Sequence, residues 1–313
     1  MLNQTDFWGL EYEDSLLSHN FDYIKNTPEQ THDLCVQAQT WYESVMDVAK
    51  RTNMQVPEYD PSKTITDVPE GIERIIRLDV HRTLRSEKYK KPLERFLTIC
   101  WYDFQDYAQP MCLVAGFLRL VLEEPQVYQM LYVFNKNNYY IPGYWKAQAV
   151  GFATDSYTAM EIARMVTPTA ATLVWQNMKF PETFCQKFFT ALGIHVFPFE
   201  YQFSIIEKFC RGGRKFLVQM LCAVLHFQEE KFKNAKGATD FYPLMALLPS
   251  VCDPNIYQLI VDNAEKFTLV ANFDIHGLRE RMYECYLKQR MESARAADDS
   301  DDEIILSSSS EDE

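Results

Sequence analysis

Three neighbouring side chains, Asp79, Arg82 and Thr83, are of types and spacing that can do chemistry. In the run 72–83, Ile72, Ile75 and Ile76 recur at helical spacing, and Asp79 comes seven residues after Ile72. Two helical turns return it to the apolar face. A carboxylate there is costly unless it is paired or hydrogen-bonded. Arg82 and Thr83 follow at i+3 and i+4, within reach of Asp79. Such a carboxylate narrows the rotamers of the arginine and aims its permanently charged guanidinium. By spacing alone the pair reads rather as a partly buried helix salt bridge with no further role.

Other chemistry-bearing residues form weaker patterns. The histidines at 19, 32, 81, 195, 226 and 276 do not pair with another His, Cys or acid at metal-ligand spacing, so no metal is expected. His81, beside Arg82, reads as a surface residue. The eight cysteines are scattered, mostly inside apolar helical runs, and read as small buried hydrophobes of a reducing compartment. Arg211-Gly212-Gly213-Arg214-Lys215 lacks the G-x-x-x-x-G-K-[ST] of a phosphate loop and reads as a two-glycine helix break. Lys88, Lys90 and Lys91 read as a solvated basic face following Arg82.

The elements that must hold these residues are helical. With 47% apolar residues in 313, a sizeable core can be buried, and only 10 glycines argue against a meander of tight hairpins. Leu93, Phe96, Leu97, Cys100 and Trp101 form one apolar helical stripe; Val114, Phe117, Leu118, Val121 and Leu122 form another. Residues 103–110 break the pattern between them. Pro110 suits the first turn of the second helix. Gln109, lying just before a proline, is steered away from the α region, which places residues 107–109 on an exposed interhelical loop. Further helices are expected at 203–210, ended by Gly212-Gly213, and at 214–226. Asp253-Pro254 predicts a cap and first turn, and a last helix runs from about 274 to 293. Residues 57–69, with three prolines, read as a loop.

Net charge is −13, but the last sixteen residues hold eight acids and no base, so the body carries no strong field and a nucleic-acid partner is not expected. That tail cannot bury enough apolar surface to order itself. Ser308, Ser309 and Ser310 each have an acid three residues on, which suits an acidophilic kinase; this is favoured over reading Ile304-Ile305-Leu306 as a SUMO-interacting motif. No apolar run is long enough to span a membrane, and the N-terminus lacks the pattern of a signal peptide, so a cytoplasmic protein is expected.

Ile76-Arg77-Leu78-Asp79-Val80-His81-Arg82-Thr83 resembles the I-x-x-D-x-x-R-T signature of TBC-domain Rab GTPase-activating proteins. Some twenty-five residues on, Tyr107-Ala108-Gln109 resembles that family's Y-x-Q element, followed by Ala115-Gly116-Phe117-Leu118. Phe188-Phe189-Thr190-Ala191-Leu192, Pro198 and Gly213-Arg214-Lys215-Phe216-Leu217 resemble its later blocks, in order. The resemblance runs over roughly residues 66–290.

The resemblance implies an all-α, two-lobed helical TBC domain over 66–293, with an N-terminal catalytic lobe at 66–180 and a C-terminal lobe at 181–293. An N-terminal helical segment and linker (1–65) would precede it and the acidic, serine-rich tail (294–313) would follow. It implies that Arg82 serves as an arginine finger and Gln109 as a catalytic glutamine, both supplied in trans to a Rab-type GTPase. Asp79, Thr83 and Tyr107 support them. GTP and Mg²⁺ belong to the partner, so no cofactor of this chain is expected, and no substrate turnover of its own. Recruitment to endomembranes would run through the GTPase. Where the family has G-Y-C-Q-G, this chain has Asp106-Tyr107-Ala108-Gln109-Pro110. The aspartate is expected to place a charge at the partner's surface, and the proline to stiffen the loop. Both substitutions also fit an alternative, a catalytically weak or inactive TBC-fold Rab-binding scaffold.

Overall fold

The computed structural model describes residues 28–84, 87–194, 196–269 and 275–293. The expectations for the acidic tail and for the N-terminal residues before 28 lie outside these. All regular structure among the described residues is helical. In chain order the helices are α1 (Pro28–Arg51), α2 (Glu70–Thr83), α3 (Glu87–Phe104), α4 (Gln109–Leu118), α5 (Glu124–Lys136), α6 (Val150–Val166), α7 (Pro168–Asn177), α8 (Glu182–Phe189), α9 (Phe199–Phe227), α10 (Glu229–Asn234), α11 (Ala238–Met245), α12 (Ile256–Asn263) and α13 (Ile275–Met282). The last of these continues through a π-helical turn, Tyr283–Leu287, to residue 293.

The long helix α9 is the spine, packing against α1, α6 and α12. Trp41 of α1 and Phe117 of α4 both meet Phe203 of α9, at ring-centroid distances of 6.2 and 5.1 Å. Buried aromatic contacts of this kind fix elements firmly. They join α4, which begins at Gln109, to the centre of the molecule. In turn α2 is lodged against α3 and α4. Its sequence suits this: Pro69 precedes it in extended conformation, Glu70 and Glu73 lie in its first turn, and His81 and Arg82 in its last, all favourable to the helix dipole.

The structure departs from the sequence reading at several points. The second apolar stripe outruns its helix: α4 stops at Leu118, and Leu120, Val121 and Leu122 are buried from a turn. α12 begins at Ile256, so Pro254 lies in the turn before it and Asp253 pairs with Lys231 instead, at 3.2 Å. The break expected at Gly212-Gly213 is present, as a kink within α9 across which two helices meet. The chain takes one non-helical step at Gly213 (φ 57°, ψ −148°) and resumes as the second half of α9. Lys90 is not solvated; it is buried and paired with Glu87. The cysteines at 100, 112, 185, 210 and 222 are buried and free, and burial raises their thiol pKa values. Among the described residues, no helix is long and apolar enough to cross a membrane.

Candidate functional site

The site is built from the last turn of α2, the first turn of α4 and the segment 105–108 between α3 and α4. On α2 the helical period sends Ile76, Asp79, Val80 and Thr83 inward. Asp79 retains only 4% of its accessible surface. Ile75, expected on that inner face, points outward instead. Arg82 is exposed, and among the described residues no hydrogen bond or ion pair holds its guanidinium. The bond expected from Asp79 to Arg82 does not form. The Asp79 carboxylate takes a hydrogen bond from the Tyr107 hydroxyl at 3.0 Å and feels the Arg82 charge only through space.

Thr83 turns inward where Arg82 faces solvent. Its hydroxyl donates back to the Asp79 carbonyl at 2.8 Å and accepts from the Cys112 thiol, with a sulfur–oxygen distance of 3.4 Å. A Cβ added to Gly116 would lie 3.4 Å from the Thr83 methyl. Thr83 therefore seats the end of α2 on the face of α4 made by Cys112 and Gly116. Gln109 precedes Cys112 by one helical turn. Arg82 and Gln109 thus flank a touching pair, Thr83 and Cys112. The sequence reading missed Cys112, since nothing in its position marks it apart from a core thiol.

Gln109 is not on an exposed loop. It is the first residue of α4 and half-buried, as are Tyr107 and Ala108. The extended Ala108 (φ −150°, ψ 157°) takes the turn into the helix, and its carbonyl accepts from the Met111 N–H at 2.9 Å. Pro110 costs this helix no bond, because the first-turn N–H groups have no intrahelical acceptor. On the other side, α3 is closed by Gln105 in the left-handed region (φ 56°).

Asp106, expected to bring a charge to the partner's surface, is buried. One of its oxygens accepts from Asn135 Nδ2 at 2.9 Å and Lys136 Nζ at 2.7 Å, and the same ammonium donates to the Phe104 carbonyl at 2.7 Å. The carboxylate pins the segment before Gln109 onto α5. Replacing Asp106 with glycine, although it restores the family residue, is expected to destabilise the protein by about 2 kcal/mol, since it strands the buried Asn135 amide and removes the ion pair with Lys136. Urea denaturation of the D106G variant checks this; an unchanged midpoint would show the clamp to be idle.

Burial is the largest influence on Asp79 and raises its carboxyl above the ordinary carboxylate range; the Tyr107 hydrogen bond and the Arg82 charge oppose it only in part. Burial, with Cys112 and Asp79 nearby, also holds the Tyr107 hydroxyl far above its usual value, so it remains a donor. A carboxyl whose pKa is higher folded than unfolded favours the fold when protonated. That contribution is complete below the unfolded value of about 3.9 and is lost as pH rises through the folded one. Once ionised, Asp79 is therefore a cost to stability. Asp79→Asn is expected to gain on the wild type in thermal midpoint as pH is raised from 4 to 7. A difference that shrinks over this range would mean that Tyr107 and Arg82 outweigh the burial.

Residues 32–233, about two thirds of the chain, match the family described as the Rab-GTPase-TBC domain. The match begins inside α1 and takes in α2, α4 and the whole of α9. Among solved structures, the chain is similar to the TBC domain of Skywalker/TBC1D24 from Drosophila melanogaster, at 12% identity and a TM-score of 0.44, over 90% of this chain and 94% of that one.

Proposed function

This chain belongs to the Rab-GTPase-TBC domain family, and on that premise we propose that it is a GTPase-activating protein for a Rab-family small GTPase, through which it regulates vesicle trafficking. The observation that carries the reading is the posture of Arg82: an exposed cation on the last turn of a helix whose adjoining face is locked into the core. During GTP hydrolysis negative charge spreads over the transferred phosphoryl group and the bridging oxygen. A guanidinium brought in from outside stabilises that charge. Gln109, one turn from the Thr83–Cys112 contact, supplies an amide that donates one hydrogen bond and accepts another, as orienting an attacking water requires.

Asp79, Tyr107 and Thr83 act through these two. The buried carboxylate keeps a negative charge beneath Arg82, and its hydrogen bond from Tyr107 ties the segment leading to Gln109 to the helix bearing the arginine. A solvent-facing guanidinium over a rigid base can enter a neighbour's pocket with little reorganisation. GTP and Mg²⁺ would be the partner's.

The two departures from the family pattern do not favour an inactive scaffold. The Asp106 charge is engaged internally by Lys136, and Pro110 occupies a helix position that needs no donor. Single-turnover GTP hydrolysis across a panel of GTP-loaded Rab proteins tests the proposal. At least one Rab is expected to be strongly accelerated; binding without acceleration throughout the panel would refute it.

A further inference from the structure

Singly exposed apolar residues are ordinary on protein surfaces. On α2 two of them are in register with Arg82. Ile75 is 48% and Leu78 41% exposed. They precede Arg82 by seven and four residues, so all three share one exposed side of the helix, beside the buried face of Ile76, Asp79, Val80 and Thr83 and roughly 120° round from it. At a rise of about 1.5 Å per residue, Leu78 lies about 6 Å and Ile75 about 10 Å along the axis from Arg82. Arg74 and Arg77, both exposed, border the strip.

A stable protein–protein contact buries about 800 Å² on each partner, equivalent to a disc of about 16 Å radius. A GTPase that receives Arg82 in its nucleotide pocket therefore covers Leu78 and Ile75 as well. We propose that the Ile75–Leu78 strip is the docking surface for the GTPase, resting on the reading of Arg82 given above. It meets an apolar patch that borders the partner's nucleotide pocket and carries an acidic rim facing Arg74 and Arg77. The strip supplies affinity, and Arg82 supplies rate. Desolvated apolar anchors near the centre of an interface carry most of its binding energy, while interactions made only in the transition state raise the rate constant.

The test compares wild type, the double variant Ile75→Ser/Leu78→Ser, the single variant Leu78→Ser and Arg82→Ala on the GTPase that the Rab panel identifies. Single-turnover rates are measured against activator concentration. The serine variants are expected to raise the half-saturating concentration, at least tenfold for the double, while the plateau rate stays within twofold of wild type. Arg82→Ala is expected to do the reverse. An unchanged half-saturating concentration in a folded double variant overturns the proposal, and the single variant gives the same reading if the double does not fold. Should wild type accelerate no Rab, the function proposed above fails, and binding to Rab proteins loaded with a non-hydrolysable GTP analogue decides the docking strip separately. Binding lost in the double variant supports it; no binding by wild type overturns it. A free chain that turns from dimer to monomer in the double variant would assign the strip to a second copy and also overturn it.

Discussion

Replacing Arg82 with alanine is expected to abolish stimulated GTP hydrolysis, by about 10³–10⁵-fold in rate, while the thermal midpoint stays within about 2 °C of wild type. The size follows from the work asked of the residue. Arginine fingers supply about that factor, equivalent to about 4–7 kcal/mol of transition-state stabilisation. The absence of a folding effect follows from placement: the side chain is exposed and among the described residues makes no hydrogen bond or ion pair, and substitutions at such positions seldom move stability by more than about 0.5 kcal/mol. Losing the Arg82 charge also removes one of the two influences that favour ionised Asp79, so the Asp79 carboxyl should rise further in the variant. Arg82→Lys is not expected to rescue, because a point charge lacks the planar fork that meets two phosphoryl oxygens at once. Measuring rate and melting together separates a catalytic loss from an unfolded protein. Equal acceleration by variant and wild type would remove Arg82 from the mechanism.

What the sequence could and could not reveal around this site has a physical pattern. Asp79 was legible because helical period alone brings a charge to an apolar face, and the inward turn of Thr83 follows from the same count. The partner of Asp79 was not legible in this way. Spacing within one helix offered Arg82, but the bond comes from Tyr107, twenty-eight residues away, and tertiary contacts outrank local ones when the group is buried. The same failure explains Asp106. A charged residue in a polar break reads as solvent-facing, and nothing local announces that Asn135 and Lys136 wait on another helix. Gln109 shows the reverse error: the bias of a pre-proline residue away from the α region is real, yet α4 begins on that residue. Ile75 was misplaced because an apolar residue was assumed to be a core residue, and on this surface it is not.

The break at Gly212-Gly213 was legible, since two helices meet there across a kink, and it yields the largest stability effect expected here. Gly213→Ala should destabilise the protein by about 3 kcal/mol or more, two costs acting together. With φ 57° and ψ −148° the residue lies in a region that L-residues avoid, a strain of about 1–3 kcal/mol. A Cβ at this position would also stand 2.3 Å from the Tyr139 carbonyl oxygen and 2.6 Å from its ring, so backbone must move, not merely a side-chain tip. That carbonyl accepts the Arg214 N–H at 3.0 Å, and Arg214 in turn reaches the buried Asp155 at 2.9 Å. Asp155 also takes Arg279 Nε at 2.6 Å and the Tyr144 hydroxyl at 2.7 Å. Pushing Tyr139 away from Gly213 therefore loosens a carboxylate on which α6, α9 and α13 converge, and breaking a buried ion pair is costly in its own right. For a domain of this size 3 kcal/mol corresponds to a fall of roughly 6–12 °C in thermal midpoint. The loss should appear equally in the variant's urea midpoint. Activity per folded molecule should survive at low temperature, because Arg82 and Gln109 are carried by α2 and α4 rather than by the kinked helix. A variant that melts with the wild type would mean that the non-helical step at Gly213 is not held by its contact with Tyr139.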